Sequence, residues 1–328
     1  MASSVYLDYR GRDGVPGMVV GGMTVVERAL REAQRAGADK AFIHVPGNGA
    51  IPMLPPLGIE IEVRGETDAP PPDATPIDGT TIAGVAISDE GSRRRASRAL
   101  WRSCRRPYDG LGDKYVIRGI STRLSRILCR IGATPNQVTV ANIAIGIAAC
   151  VVVLFGTQTA LIVAGALMFA QVVLDSCDGE LARIRFMHSR LGMILDNGSD
   201  DLIDNLFVAM LALHIGGIWA LIGVAAACAR AFSALMIHID VARRGKAGDI
   251  LAFKWFFDTE GEQLADRFET KGSVAGTVRA FGRRDLYVLV WTVTCIAGVP
   301  LIGLVLSIAL STVYFCLAIT HLVVMRRR

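Results

Sequence analysis

No Cys-x-x-Cys pair occurs in the 328 residues, and histidine appears five times. The seven cysteines, Cys104, Cys129, Cys150, Cys177, Cys228, Cys295 and Cys316, are scattered, most of them inside apolar runs. A zinc site of sulfur ligands or a disulfide framework needs clustered or paired thiols, so neither is expected and the cysteines read as small buried hydrophobes. The N-terminus has no basic region followed by an apolar core, and no cleaved signal peptide is expected. No internal repeat is visible. Before about Asn136 the chain also lacks long hydrophobic runs, and Pro, Gly and charge dominate there.

Beyond that point apolar residues come in long runs as far as Val324. With 52% apolar residues and a mean hydropathy of +0.42, the composition is that of a membrane protein, with a soluble part ending near Pro135. The net charge of +5 is modest and concentrated, notably in Arg93, Arg94, Arg95, Arg98, Arg102, Arg105 and Arg106. Placed just before a membrane domain, such a cluster reads as facing anionic headgroups rather than nucleic acid.

Six spans of about twenty residues can be drawn: Asn136 to Phe155, Thr159 to Arg183, Leu191 to His214, Ile218 to Val241, Asp285 to Val299 and Leu301 to Met325. The connections at Gly156, Ile215 and Gly298 carry no Lys or Arg, whereas the alternate ones hold Arg183, Arg185 and Arg190, then Arg243, Arg244 and Lys246, then Arg326 to Arg328. Positive charge on one side throughout places both termini in the cytoplasm, in a protein of the cytoplasmic membrane. The expected fold is therefore an all-α polytopic domain of six transmembrane helices (136–328), preceded by a small cytosolic α/β domain (1–90) and by a basic connector with an amphipathic juxtamembrane helix (91–135). That helix, Asp113 to Ile131, puts Tyr115, Val116, Ile120, Leu124, Ile127, Leu128 and Ile131 against Arg118, Arg123, Arg126 and Arg130. It reads as lying on the membrane surface, with docking on the preceding domain as the alternative. The charged stretch from Arg243 to Arg284 reads as a cover over the site or as a plain solvated linker.

The densest chemistry runs from Asp175 to Asp204, between two apolar segments. On a helix Asp175 and Asp178 are three apart and Asp196, Asp200 and Asp204 four apart, so each set shares a face and the two can converge. Carboxylates that close repel unless a cation neutralises them, and oxygen-only ligands favour a hard ion, Mg²⁺ or Mn²⁺, over zinc. Asp201 points about a hundred degrees away from its neighbours and reads as structural, while Asp204 can support the cluster from behind.

The spacing D-x2-D-G-x2-A-R-x8-G-x3-D-x3-D, filled by Asp175, Asp178, Gly179, Ala182, Arg183, Gly192, Asp196 and Asp200, resembles the signature of the CDP-alcohol phosphotransferases. The resemblance implies an integral membrane enzyme that moves a substituted phosphate from a CDP-alcohol donor to an acceptor alcohol, releasing CMP, usually as a homodimer. It implies two divalent ions on Asp175, Asp178, Asp196 and Asp200, with Asp200 also taking the proton from the acceptor hydroxyl. Nucleotide would lie against Asp178, Gly179, Ala182, Arg183 and Gly192, and against Asn136 and Thr139 in the lead-in Thr134-Pro135-Asn136-Gln137-Val138-Thr139. Arginine inside a span is costly. Arg230, Arg243 and Arg284 are accordingly candidates to hold a phosphorylated acceptor, with snorkelling or pairing to an aspartate as the alternative for Arg230 and Arg284.

The wording Gly21-Gly22-Met23-Thr24-Val25-Val26-Glu27-Arg28-Ala29-Leu30 resembles the first helix of sugar-phosphate nucleotidyltransferases, some of which are fused before CDP-alcohol phosphotransferases. Tyr9 to Gly14 does not supply that family's phosphate-cradling glycine loop, so residues 1–90 read as a non-catalytic relative. With Pro107-Tyr108-Asp109-Gly110 and Arg283-Arg284-Asp285, the chain looks most like the di-myo-inositol phosphate phosphate synthases, which use an inositol phosphate acceptor. A phospholipid synthase using CDP-diacylglycerol, such as a phosphatidylinositol phosphate synthase, is the alternative. A cation transporter leaves the Asp-Gly-x-x-Ala-Arg core unexplained.

Overall fold

A computed structural model describes residues 3–45, 51–106, 109–256 and 282–327. It divides into two compact units, an α/β unit (residues to Arg105, with 126–132 and 183–186) and a helical unit made of the remainder.

In the α/β unit, β1 (Ser3–Asp8), β4 (Ala38–His44), β5 (Glu60–Arg64) and β6 (Thr75–Ile77) form a parallel sheet in the order β5-β4-β1-β6. Parallel neighbours need a crossover, and α1 (Val25–Arg35) supplies it between β1 and β4. Thr24 caps α1 by accepting from the Glu27 N–H, and Val25, Val26, Ala29, Leu30 and Ala33 face Leu7, Ala41 and Ile43 in the core. The hairpin β2–β3 (Val19–Val20, Met23–Thr24) precedes α1. Strands β1 and β6 carry no clear alternation, and Pro76 in β6 is tolerated because that strand is at the sheet edge. Thr81–Ile82 (β7) and Val85–Ala86 (β8) form a further hairpin.

Its two-residue link puts Ala83 (φ 49) and Gly84 (φ 76) in the left-handed region, which suits Gly84 and strains Ala83. Ala83→Asn, a residue that tolerates this conformation, is expected to stabilise the chain by about 0.5–1 kcal/mol. A melting temperature below the parent's would refute this reading.

The basic stretch expected as a connector is helical, α2 (Glu90–Arg102), and belongs to the α/β unit, with Ser92, Ala96 and Trp101 buried. Asp89 and Ser92 form its capping box. Glu90 neutralises Arg93 and Arg94. Arg28, buried in α1, donates to the Val20 and Ile184 carbonyls, and Phe186 lies under Arg28 and Arg35.

The expected amphipathic helix is a π turn (Asp113–Ile117) running into α3 (Arg118–Arg130). Its faces are inverted relative to a soluble helix: Arg118, Ser121 and Ser125 are buried, while Tyr115, Val116, Ile120 and Ile127 are exposed. Exposed apolar and buried polar side chains on one helix suit an apolar surrounding. On the buried face Arg118 pairs with Asp109 at 2.9 Å and Glu180 at 3.0 Å, and Ser121 donates to Glu180, while Ser125 Oγ has no hydrogen-bond partner.

Beside this pair, burial and the neighbouring Asp285 push the Asp113 carboxyl up to about 6, against the pull of Arg118. A carboxyl raised in the folded state holds its proton there, so its contribution is fully present below its unfolded value near 4 and lost as pH rises through 6. Asp113→Asn should therefore leave stability unchanged near pH 4 and raise it by about 1–2 kcal/mol at pH 7.5, after allowance for partial exposure. Parallel stability–pH curves for parent and variant would contradict that assignment.

The helical unit continues with α4 (Pro135–Val152), α5 (Gln158–Ile184), α6 (Arg190–Ile215), α7 (Gly217–Arg243), α8 (Arg284–Ile296) and α9 (Pro300–Arg327). Thr134 and Gln137 form the capping box of α4, with Pro135 in its first turn. Small residues set the close approaches: a Cβ on Gly146 would fall 2.7 Å from Ile203 of α6, and one on Gly165 3.0 Å from the Thr292 carbonyl of α8. Four helices, α4 with its following turn, α5, α7 and α9, are long and apolar enough to cross a membrane. The six expected spans all coincide with helices, but α6 and α8 do not meet that standard. The part of α6 from Arg190 to Asp204 carries Arg190, Asp196, Asp200, Asp201 and Asp204, and the 13 residues of α8 reach only about 20 Å. Most of the charged stretch between Arg243 and Arg284, residues 257–281, lies outside the described residues, as do Pro107 and Tyr108.

Candidate functional site

The site is built where the last turns of α5 meet the first turns of α6. Asp175, Asp178 and Asp196 each offer a carboxylate oxygen, and these all lie within 4.8 Å of one another. Asp178 is 4% exposed, and its Oδ2 accepts from Thr139 Oγ1 at 2.7 Å, which joins α4 to the cluster. Thr139 Oγ1 also lies 3.1 Å from the Pro135 carbonyl, so its hydroxyl is held in place from its own helix. Asp196 Oδ1 is buried with no hydrogen-bond partner. An orphaned carboxylate oxygen beside two further carboxylates, with no sulfur or nitrogen ligand in the group, fits a hard divalent cation.

Asp200 is placed by a second set of contacts. Arg284 at the start of α8 puts Nη1 at 2.8 Å from Asp200 Oδ2 and 2.9 Å from Asp175 Oδ2. Its Nη2 donates to Gln171 Oε1 at 2.8 Å, and Gln171 Nε2 donates in turn to Asp200 Oδ1 at 3.2 Å. Its Nε donates to Asp204 Oδ2 at 3.1 Å. Asp204, 1% exposed, also accepts from the Tyr287 hydroxyl and lies 3.5 Å from Arg230, which itself donates to Tyr287. Asp204 thus accepts from Arg284 and Tyr287, with Arg230 as a further ion-pair neighbour. Pairing with aspartates, the alternative reading of Arg230 and Arg284, is what both arginines do here.

The remaining expected positions fall in three places. A Cβ on Gly192 would lie 3.3 Å from Asn136 Oδ1 and 2.7 Å from Ser189 Oγ, so these two candidates adjoin at the openings of α4 and α6. Gly179 and Ala182 follow Asp178 on α5, and Arg183 is in the segment that belongs to the α/β unit. Arg243 is not brought to the cluster; it lines an apolar groove of about 370 Å³ with Phe232, Leu235 and Met325. Asp201 pairs with His238 at 2.9 Å, in keeping with a structural part.

Sequence reasoning missed Gln171 and Tyr287. Gln171 had a signal, an amide one turn before Asp175 in an otherwise apolar run. Tyr287 had none, since a tyrosine near a helix start is ordinary and only the fold brings it to Asp204.

Residues 133–257 match the family described as CDP-alcohol phosphatidyltransferase. The chain is 38% identical over 104 residues to the bifunctional IPC transferase and DIPP synthase of Thermococcus kodakarensis, a match covering 32% of this chain and 23% of that one. To the proteins of the same name from Archaeoglobus fulgidus and Aquifex aeolicus it is 34% identical over 121 residues and 32% over 114, covering 37% and 34% of this chain and 24% and 26% of theirs. The chain thus spans about a quarter of the length of the curated relatives it matches. Asp175, Asp178, Asp196, Asp200 and Asp204 all lie inside the matched residues, whereas Arg284 and Tyr287 lie beyond them. The segment that carries the acidic cluster is a domain of the CDP-alcohol phosphatidyltransferase family.

Proposed function

We propose that the protein transfers a substituted phosphate from a CDP-alcohol to an acceptor alcohol and releases CMP, with an inositol phosphate as acceptor. The observation that carries this reading is the convergence of Asp175, Asp178 and Asp196 within a family-matched segment. The relatives' name, DIPP synthase, is in keeping with an inositol phosphate acceptor, and Arg284 and Arg230, which pair with the aspartates, are the cations near the cluster that would hold its phosphate.

Asp175, Asp178, Asp196 and Asp200 would hold Mg²⁺ or Mn²⁺, two ions in this reading, supplying positive charge where the pyrophosphate is broken. The chain's own residues do the positioning. Thr139 fixes the Asp178 carboxylate, and Gly192 beside Asn136 leaves room for nucleotide at the helix openings. Gly179, Ala182 and Arg183 complete the nucleotide side. Asp200 accepts the acceptor's hydroxyl proton as the new bond to phosphorus forms. Catalysis of this kind is chiefly positioning and charge neutralisation. The α/β unit takes no part in nucleotide activation, since residues 9–14 lack a phosphate-cradling glycine loop.

The test is to supply labelled CDP-inositol and CDP-diacylglycerol with a panel of acceptors and measure CMP. CMP from CDP-inositol and inositol phosphate is the expected result. CMP from CDP-diacylglycerol alone would make the protein a phospholipid synthase, and none from any donor would overturn the reading.

We further propose six spans with both termini and the site on the cytoplasmic face, from the loop charges, and a homodimer, as the family resemblance implies. A single cysteine placed at Gly156 should then react with an impermeant reagent added outside, and one at Arg244 should not. Labelling in the reverse pattern would invert the topology.

A further inference from the structure

The α/β unit holds a cleft of about 570 Å³ whose lining includes five arginines, Arg93 and Arg98 of α2, Arg126 and Arg130 of α3, and Arg185. None of the lining residues is acidic. The arrangement follows from helix geometry. On α2, Arg93, Ser97 and Trp101 are four apart and form one stripe, and on α3 Arg126 and Arg130 are four apart as well. The Trp101 ring is buried, with the Arg126 guanidinium 5.8 Å from its centroid. One wall is the turn at Gly21 and Gly22, both at positive φ, where a Cβ would meet Leu100 at 2.9 Å or Cys129 Sγ at 2.7 Å. That wall therefore stays free of side chains.

The charge lining the cleft is all of one sign. Glu90 takes Arg93, which also donates to the Val19 carbonyl, and Arg98 Nε donates to the Arg94 carbonyl. Arg126 Nε is buried with no hydrogen-bond partner. Like charges gathered in a concavity repel, and an anion that accepts from several forks at once relieves the repulsion. A carboxylate engages one or two forks, whereas a phosphate presents three oxygens. The volume is in the range that takes a small molecule or a lipid headgroup.

We propose that this cleft binds a phosphate group, carried by a soluble phosphate ester or by an anionic phospholipid headgroup. The proposal is independent of the chemistry at the acidic cluster. It is tested on the full chain in neutral detergent with EDTA present, so that pyrophosphate cannot bind through divalent ions elsewhere. Pyrophosphate affinity is measured for the parent, for Arg126→Gln/Arg130→Gln, and for Arg95→Gln/Arg102→Gln, which removes the same charge from α2 outside the cleft. In parallel, each protein is held in phosphatidylcholine nanodiscs with or without phosphatidylglycerol, and the phosphatidylglycerol retained per chain is counted. The cleft variant should bind pyrophosphate or retain phosphatidylglycerol at least about 30-fold less well, with the control within about threefold of the parent. Loss in the pyrophosphate arm identifies a soluble ligand, and loss confined to the nanodisc arm a headgroup. If the double variant fails to fold, Arg98→Gln at the exposed mouth replaces it. Equal behaviour of cleft and control variants in both arms would show solvated surface charge and overturn the proposal.

Discussion

Asp200→Asn is expected to lower CMP release by at least ~10²-fold, the usual cost of losing a general base, while nucleotide binding survives. The substitution keeps the size of the side chain and one oxygen but removes the basic lone pair. Asp200 differs from the other carboxylates in its partners: it shares Arg284 Nη1 with Asp175 but also accepts from the Gln171 amide, whereas Asp175, Asp178 and Asp196 form the tight trio. Asp175→Asn and Asp178→Asn should therefore weaken metal binding first, and raising Mg²⁺ or Mn²⁺ should recover part of their activity. Added metal should not rescue Asp200→Asn, because what it lacks is a proton acceptor. The measurement is CMP release and nucleotide affinity for all three variants across a metal titration. Turnover of Asp200→Asn near the parent rate would remove Asp200 from the role of base.

How much of the fold and the site is legible in the sequence depends on whether the signal is local. The carboxylate spacing is a helical repeat, so spacing alone puts Asp175, Asp178, Asp196 and Asp200 on shared faces, and the capped start of α4 at Thr134 is equally plain. The α1 helix is legible because its apolar residues follow a helical period, and strand β4 because Ala41, Phe42 and Ile43 form a short apolar run of the kind a buried parallel strand carries. Strands β1 and β6 are not, because a short parallel strand carries little pattern, and Pro76 argues against a strand unless the edge position is known. Helix α2 hides behind its arginines: charge reads as a linker, although Ser92 and Ala96, four apart, share a buried face. The partners of Arg284 are illegible for a different reason. Asp175, Asp200 and Asp204 are 109, 84 and 80 residues away in the chain, and only packing of α8 against α5 and α6 brings the guanidinium to them.

Arg284→Met should lower stability without divalent metal by about 3–5 kcal/mol, the loss observed when one partner of a buried ion pair is removed, and melting by on the order of 10 °C. Arg284 is the cation nearest three carboxylates, at 2.9 Å from Asp175, 2.8 Å from Asp200 and 3.1 Å from Asp204. Methionine fills much of the same volume but leaves Asp175 and Asp200 repelling each other and the Gln171 carbonyl without its donor. Asp204 suffers less, because Tyr287 and Arg230 still serve it. Divalent metal neutralises the same carboxylates, so it should stabilise Arg284→Met by more degrees than the parent. Arg284→Lys keeps the charge without the planar fork and cannot reach Asp175, Gln171 and Asp204 together, so it should fall between the two. Removing both ends of one contact separates this account from a simple packing defect. In Arg284→Met/Asp204→Leu the two losses should sum to clearly more than the loss in the double variant, as they do for groups that interact directly. Melting temperatures in EDTA and in Mg²⁺ for these variants are the measurement. If Arg284→Met melts with the parent in EDTA, or if metal stabilises both equally, Arg284 is not the counter-charge of the cluster.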